Sequence, residues 1–185
     1  MPACHRLLVL AVAVLALGAA TASAQDPVYW EANGHYYELV QTPVTWHDAE
    51  YLAEQRMYMN RTGHLATLTS QEENEFVFWF VVGGNQDTPL GDPWLGGYQN
   101  SDESPPGDNW FWVTDEAWDY TNWDDGEPND YDEPYAEMFL NYQLWGDGTW
   151  NDHHSLNLKG FVVEYSTGVV RNEQVTLTDV KSLFQ

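Results

Sequence analysis

The chain has 185 residues, with Asp+Glu 29 against Lys+Arg 6 and a formal net charge of −23. So acidic a chain repels DNA, RNA and anionic lipid at ordinary salt, which excludes nucleic acid as a partner. Its aromatic content of 15%, with 10 Trp, is foreign to an acidic disordered chain and predicts a packed domain.

Residues 1–6 carry one positive side chain, Arg6, residues 7–20 are almost entirely apolar, and Ala22-Ser23-Ala24 has the small-x-small pattern of a cleavage site. That is the anatomy of a secretory signal peptide. A transmembrane span is the competing reading, but the run is short and no charged stop-transfer segment follows it. The sequence thus predicts a signal over 1–24, a secreted domain over 25–168 and a C-terminal extension over 169–185, with no membrane insertion. Cys4 is the only cysteine. It falls in the signal, so an exported chain is expected to have no disulfide. Packed aromatics and a bound metal are the two candidates for holding its loops.

In the domain, Val28-Tyr29-Trp30 and residues 36–40 flank Asn33-Gly34, a strong hairpin signal. Thr45 caps a helix expected over 46–57, with Trp46, Ala49, Leu52 and Ala53 at helical spacing. Residues 60–63 read as a turn and 64–68 as a short strand. Ser70-Gln71-Glu72-Glu73 is a capping box opening a second helix to about residue 82. Phe76, Val77, Phe80 and Val81 are expected to form its buried face. Strands follow at 94–98, 110–113, 136–140 and 160–165. Between the second and third of these, residues 114–133 form a long stretch rich in Asp, Asn, Gly and Pro. A structureless stretch of that length in a compact domain is usually functional. Residues 102–137 hold nearly half of the carboxylates, and a hard cation relieves such crowding.

Glu127-Pro128-Asn129, then Glu133, then Asn151-Asp152 supply three carboxylates and two amide carbonyls. Calcium takes six to eight oxygens of this kind, whereas zinc favours His and Cys and magnesium demands a tighter octahedron. A cis bond before Pro128 would bring the flanking side chains onto one ion. Each piece alone is ordinary turn chemistry; the conjunction in one order is what points to a metal. His153-His154 is expected in a surface loop, and Asn60-Arg61-Thr62 is a bare glycosylation sequon.

These residues resemble the C-type lectin-like domain family over roughly residues 28–165. Trp94-Leu95-Gly96-Gly97 looks like its Trp-Ile-Gly-Leu core strand, and Glu127-Pro128-Asn129 and Trp150-Asn151-Asp152 look like its two ligand motifs. Thr45-Trp46 to Ala49, Leu65-Ala66-Thr67-Leu68 and Glu72-Glu73-Asn74 resemble the segments that open its two helices. The resemblance implies an α+β fold, with two helices, two small antiparallel sheets and a long calcium-binding loop region. It implies one Ca2+ held by Glu127, Asn129, Glu133, Asn151 and Asp152, the same five side chains binding two adjacent sugar hydroxyls. The Glu-Pro-Asn order goes with mannose, N-acetylglucosamine, glucose or fucose, and Gln-Pro-Asp with galactose. Tyr131 is placed to stack on a sugar or to pack the loop. Asp130 matches one ligand of an auxiliary metal site, while Asp102, Glu103 and Asp108 lie in a loop of different length.

The family's two disulfides are missing, their places falling at Ala53 with Val163 and Tyr135 with Ser155. That points toward a bacterial protein. The expected activity is carbohydrate binding. The alternative is a module of the same fold that binds a protein or another surface. An enzyme is not expected: Glu127 and Glu133 lie among other anions, not in the apolar pocket that a glycosidase acid requires.

Overall fold

In the computed structural model, which describes residues 26–84, 92–99, 105–129, 138–143, 147–154 and 156–167, the Asn33-Gly34 signal closes a hairpin. It joins β1 (Val28–Trp30) to β2 (His35–Val44) in antiparallel register, Trp30 opposite His35. The Asn33 side chain accepts from the His35 backbone N–H at 2.9 Å, which is the local bond that favours Asn in turns.

Helix α1 (Trp46–Glu54) starts where the cap was read, with the Thr45 hydroxyl accepting from the Asp48 N–H at 3.2 Å. It buries Trp46, Ala49 and Ala53. It ends short of the expected residue 57. Met57–Tyr58 (β3) instead pairs with Arg61–Thr62 (β4). Met59 and Asn60 form the turn between them in left-handed conformation, φ 48° and 63°. Arg56 leaves the helix to reach Glu38 at 2.8 Å, so a tertiary ion pair and a hairpin replace the last helical turn. The 60–62 sequon lies in this hairpin.

After β5 (His64–Leu65), α2 (Gln71–Phe76) begins at Ser70, whose hydroxyl accepts from the Glu73 N–H at 3.2 Å. The helix then widens into a π-helical turn over Val77–Val82. Wider winding moves the buried stripe to Val77, Phe78, Val81 and Val82 and leaves Phe80 65% exposed. The regular 3.6-residue period therefore misplaces Phe80, because i→i+5 bonding rotates each later side chain off that period.

Among the described residues five further strands follow: β6 (Trp94–Gln99), β7 (Trp110–Trp112), β8 (Met138–Gln143), β9 (Thr149–His154) and β10 (Lys159–Tyr165). β1, β2, β10 and β5 form one antiparallel group, and β7, β6, β8 and β9 another. The two are not separate sheets, as the sequence reading had them. A parallel contact of Phe161 with Trp94 joins them into one eight-stranded sheet. The α+β class holds. Among the described residues no helix is long and apolar enough to cross a membrane.

Side chains fill both faces. One buried cluster, with Phe78, Trp112, Leu140, Tyr142 and Trp150, lies toward α2; the other, with Trp46, Ala53, Trp94, Phe139 and Val163, lies toward α1. Ala53 and Val163, a pair of positions expected to have lost a disulfide, sit in the same cluster. Two of the buried indoles are satisfied on backbone, Trp46 Nε1 donating to Leu95 O at 2.8 Å and Trp94 Nε1 to Val44 O at 3.1 Å, whereas the buried Trp112 Nε1 has no hydrogen-bond partner.

Between β2, β10 and α2 lies a buried polar network. Glu164, 2% exposed, accepts from His35 Nδ1 at 2.6 Å and from the Thr67 N–H at 3.0 Å. Glu73, 4% exposed, accepts from Tyr37 OH at 2.5 Å and from the Thr69 N–H at 2.8 Å. In the expected capping box Glu73 would bond the cap residue's own N–H; here it takes that of Thr69, one residue earlier. Burial works against the His35 cation, but the Glu164 hydrogen bond and charge outweigh it and hold its pKa above the ordinary value. Burial likewise opposes ionised Glu164, and His35, His64 and the Thr67 N–H together overcome it and hold that carboxyl low. The His35 contribution is therefore complete below the usual imidazole pKa and is lost as pH rises through the raised value. The Glu164 contribution is complete above the usual carboxylate pKa and is lost as pH falls through the depressed one. H35Q is expected to cost about 1–2 kcal/mol near pH 6, a loss of a few degrees in Tm. The deficit shrinks toward about pH 9, as thermal melts at the two pH values will show; an equal deficit at both contradicts the ion pair.

Candidate metal site at the 122–129 loop

Among the described residues the loop that follows β7 has no strand of its own, and its shape comes from Trp150. Trp150 N–H donates to Asn122 O at 2.8 Å, and Asp124 N–H donates to Trp150 O at 2.9 Å. These bonds lay Trp123 alongside Trp150 as an isolated parallel bridge. Beneath the loop is a bed of rings. Trp118 lies 4.4 Å from Trp112, Trp123 lies 4.8 Å from Trp110, and Tyr120 meets Trp150 edge-on at 5.4 Å between centroids. Trp150 is anchored from below by Asn74, which accepts from its Nε1 at 2.8 Å. Asn74 also donates to Gly148 O at 3.0 Å, and Asn122 donates to the same carbonyl at 2.8 Å. Gly148 is obligatory here: its φ is +85°, and a Cβ would stand 2.8 Å from Phe78 Cγ.

One turn further on, Glu127 N–H donates to Asp124 O at 3.0 Å. The Glu127–Pro128 peptide is cis, as the sequence reading expected. On β9 the alternation of a strand puts Asp152 on the same face as Trp150. Asp152 is 4% exposed, and its Oδ1 accepts from the Asn129 N–H at 3.0 Å. Glu127, Asn129 and Asp152 are thus brought together. Asn151 adjoins them along the strand, but its Nδ2 is 3.2 Å from His153 Nε2. Glu133, Tyr131 and Asp130 lie outside the described residues, as do Asp102 and Glu103. His153 and His154 are on β9, not in a surface loop: antiparallel pairing with Phe139 and Met138 extends the strand through them.

The carboxyl of Glu127 is pushed up to about 7. Burial is the main cause, followed by its hydrogen bond with Asp152, the charge of Asp152 and the charge of Asp124. Glu127 Oε2 is buried without a hydrogen-bond partner. Two carboxylates pressed together, one with an orphaned buried oxygen, are costly unless a proton or a cation intervenes. Every donor at this place is oxygen, which suits a hard cation such as calcium.

A second group of ligand-type atoms was not read from the sequence. One atom each from His35, Glu73 and Glu164 lie within 4.8 Å of one another. The available signal was a Glu inside the final core strand, which cannot be buried there without partners. Its His partner is 129 residues away in the chain, beyond the reach of local pattern.

No family model matches the chain. It is 33% identical to halomucin of Haloquadratum walsbyi over 159 residues, 78% of this chain but 2% of that protein. It is 33% identical to mouse regenerating islet-derived protein 3-alpha over 106 residues, 55% of this chain and 54% of that one. These matches thus span about half, or far less, of the relatives' own length. Among solved structures, the C-type lectin CEL-I from Cucumaria echinata superposes with a TM-score of 0.62 at 24% identity, covering 78% of this chain and 99% of that one. The fold is that of the C-type lectins, and the neighbours point to a C-type lectin-like domain.

The raised Glu127 pKa has a sign that can be checked. Its contribution to stability is complete below the ordinary carboxylate pKa and is lost as pH rises to about 7. Above that, the ionised carboxylate opposes folding unless a cation is present. In metal-free buffer E127Q is expected to melt roughly 1–3 °C above the wild type at about pH 8 and level with it at about pH 5. A lower Tm for E127Q at the higher pH contradicts this arrangement.

Proposed function

We propose that the protein is a secreted, calcium-dependent carbohydrate-binding lectin of the mannose, N-acetylglucosamine, glucose or fucose type. The observation that carries the reading is the meeting of the loop and β9. Asn129 donates its backbone N–H to Asp152, and the Glu127 carboxyl is held at a raised pKa against the same side chain. The fold and the lectin named among its structural neighbours support carbohydrate as the ligand class.

In this reading Glu127, Asn129, Asn151, Asp152 and Glu133 would hold the ion. Bound calcium would supply charge neutralisation and open coordination places for neighbouring sugar hydroxyls. The chain's own groups do the reading of the sugar. A carboxylate accepts from a hydroxyl, and an amide NH2 donates to it. Glu127 and Asn129 therefore present an acceptor and a donor in a fixed order, which distinguishes one hydroxyl geometry from another. Asn151 would have to exchange its contact with His153 for the ion. Tyr131 adds a stacking face for the sugar ring, and Asp130 serves an auxiliary ion. Export through a signal over residues 1–24 completes the proposal.

Mannan binding followed by calorimetry or surface capture is expected in calcium and lost in EDTA, with free mannose competing. Binding that persists in EDTA contradicts the reading. Competition by no monosaccharide favours a protein or another surface as the ligand. The double change E127Q/N129D reverses the donor and acceptor order and is expected to shift selectivity toward galactose by roughly ten-fold. A proton on Glu127 competes with the ion, so calcium affinity is expected to fall ~30-fold between about pH 8 and about pH 5.5, given a pKa of about 7. A flat pH profile over that interval would exclude Glu127 as a ligand.

A further inference from the structure

A second concavity lies on the other side of β8. Leu140 packs with Trp150 in the cluster toward α2, whereas its neighbour Phe139 packs with Trp46 in the cluster toward α1. Above Phe139 is a cleft of about 250 Å3 between the start of α1, β6 and the turn after β7. Trp46 and Phe139, stacked at 4.5 Å, are nearly buried and form its floor. Tyr98, 6.0 Å from Trp46, and His47, edge-on to Phe139 at 5.0 Å, wall it. Two carboxylates stand at the same cleft, Glu50 and Asp115. Glu50 follows Trp46 by four residues in α1 and so shares its face. Asp115 is exposed, and its backbone is left-handed, φ 61°, a conformation that Asp tolerates better than most residues.

Aromatic faces attract cations through their quadrupole, and carboxylates do so through charge. A site combining them, with no Lys or Arg among its described lining residues, selects an apolar cation over both a neutral molecule and an anion. We propose that this cleft binds an organic ammonium group, with alkylated ammonium preferred because its methyl groups also contact the rings. The recognition is separate from the meeting of Glu127 with Asp152, which pairs with Leu140 and so lies across the sheet from Phe139, and it does not require calcium.

The test is NMR of the full chain with choline as the probe, following the Trp46 indole N–H, which is fixed on Leu95 O at 2.8 Å. Saturable shifts of that signal are expected, unchanged by EDTA. The uncharged carbon isostere, dimethylbutanol, is expected to bind at least about ten-fold more weakly. Phosphocholine is expected to bind more weakly than choline because its phosphate meets the acidic residues, which separates a free ammonium from a zwitterionic lipid headgroup. The double variant E50Q/D115N is expected to lose about ten-fold in choline affinity, and D115N alone to lose part of it while keeping its Tm and its calcium response. Absence of saturation, equal binding of the isostere or of phosphocholine, or undiminished binding by the double variant overturns the proposal. Loss of mannan binding alone would bear on the metal site and leave this result standing.

Discussion

The two backbone hydrogen bonds between Trp150 and the loop residues Asn122 and Asp124 are the constraint on which the site depends. They make a stretch with no regular structure behave as an added strand on β9. The residues that follow on each side, Glu127 to Asn129 on the loop and Asn151-Asp152 on the strand, then inherit a fixed separation. Backbone bonds alone would leave the loop's inner face wet. The tryptophans beneath it exclude that water, and the Asn74 side chain fixes the ring of Trp150 by a buried hydrogen bond. In a chain whose described domain has no cysteine, this aromatic bed does what covalent crosslinks do elsewhere: it limits how far the loop can depart from the sheet.

The chain buries carboxylates in two ways. Glu73 and Glu164 are buried with partners, namely His35, Tyr37 and the N–H groups of Thr67 and Thr69. That network joins β2, β10 and α2 and gives both carboxylates hydrogen-bond partners, although burial and the charge of Glu164 still hold the Glu73 carboxyl above its usual pKa. Glu127 and Asp152 are placed against one another, and one Glu127 oxygen has no partner at all. The first arrangement is a structural solution. The second stores an electrostatic cost that only a proton or a cation removes, and this is the property expected of a binding site.

Much of the fold was legible because local chemistry and tertiary structure agree. Asn33-Gly34 turns, Thr45 and Ser70 cap, and the short, largely apolar runs in residues 94–98 and 160–165 give buried strands. The failures have physical causes. Helix α1 stops at Glu54 because Arg56 finds Glu38 and because residues 57–62 form a hairpin, neither visible in helical spacing. Phe80 is misassigned because the winding changes after Phe76. The two antiparallel groups merge through one parallel contact, Phe161 with Trp94, which no local pattern encodes. At the site, residue types and order were legible, and so was the cis bond before Pro128. The turning of Asn151 toward His153 was not, since it depends on both residues sharing one face of β9, where the sequence reading expected His153-His154 in a surface loop.

Terbium luminescence tests the central claim most directly. A terbium ion takes calcium's oxygen ligands and emits when a nearby indole absorbs, and Trp123 and Trp150 flank the loop that carries Glu127. The account predicts emission on tryptophan excitation, displacement of that emission by calcium, and its loss in D152N without loss of fold. Emission that is absent, or that survives D152N at full strength, would contradict the claim that loop and strand meet on one cation.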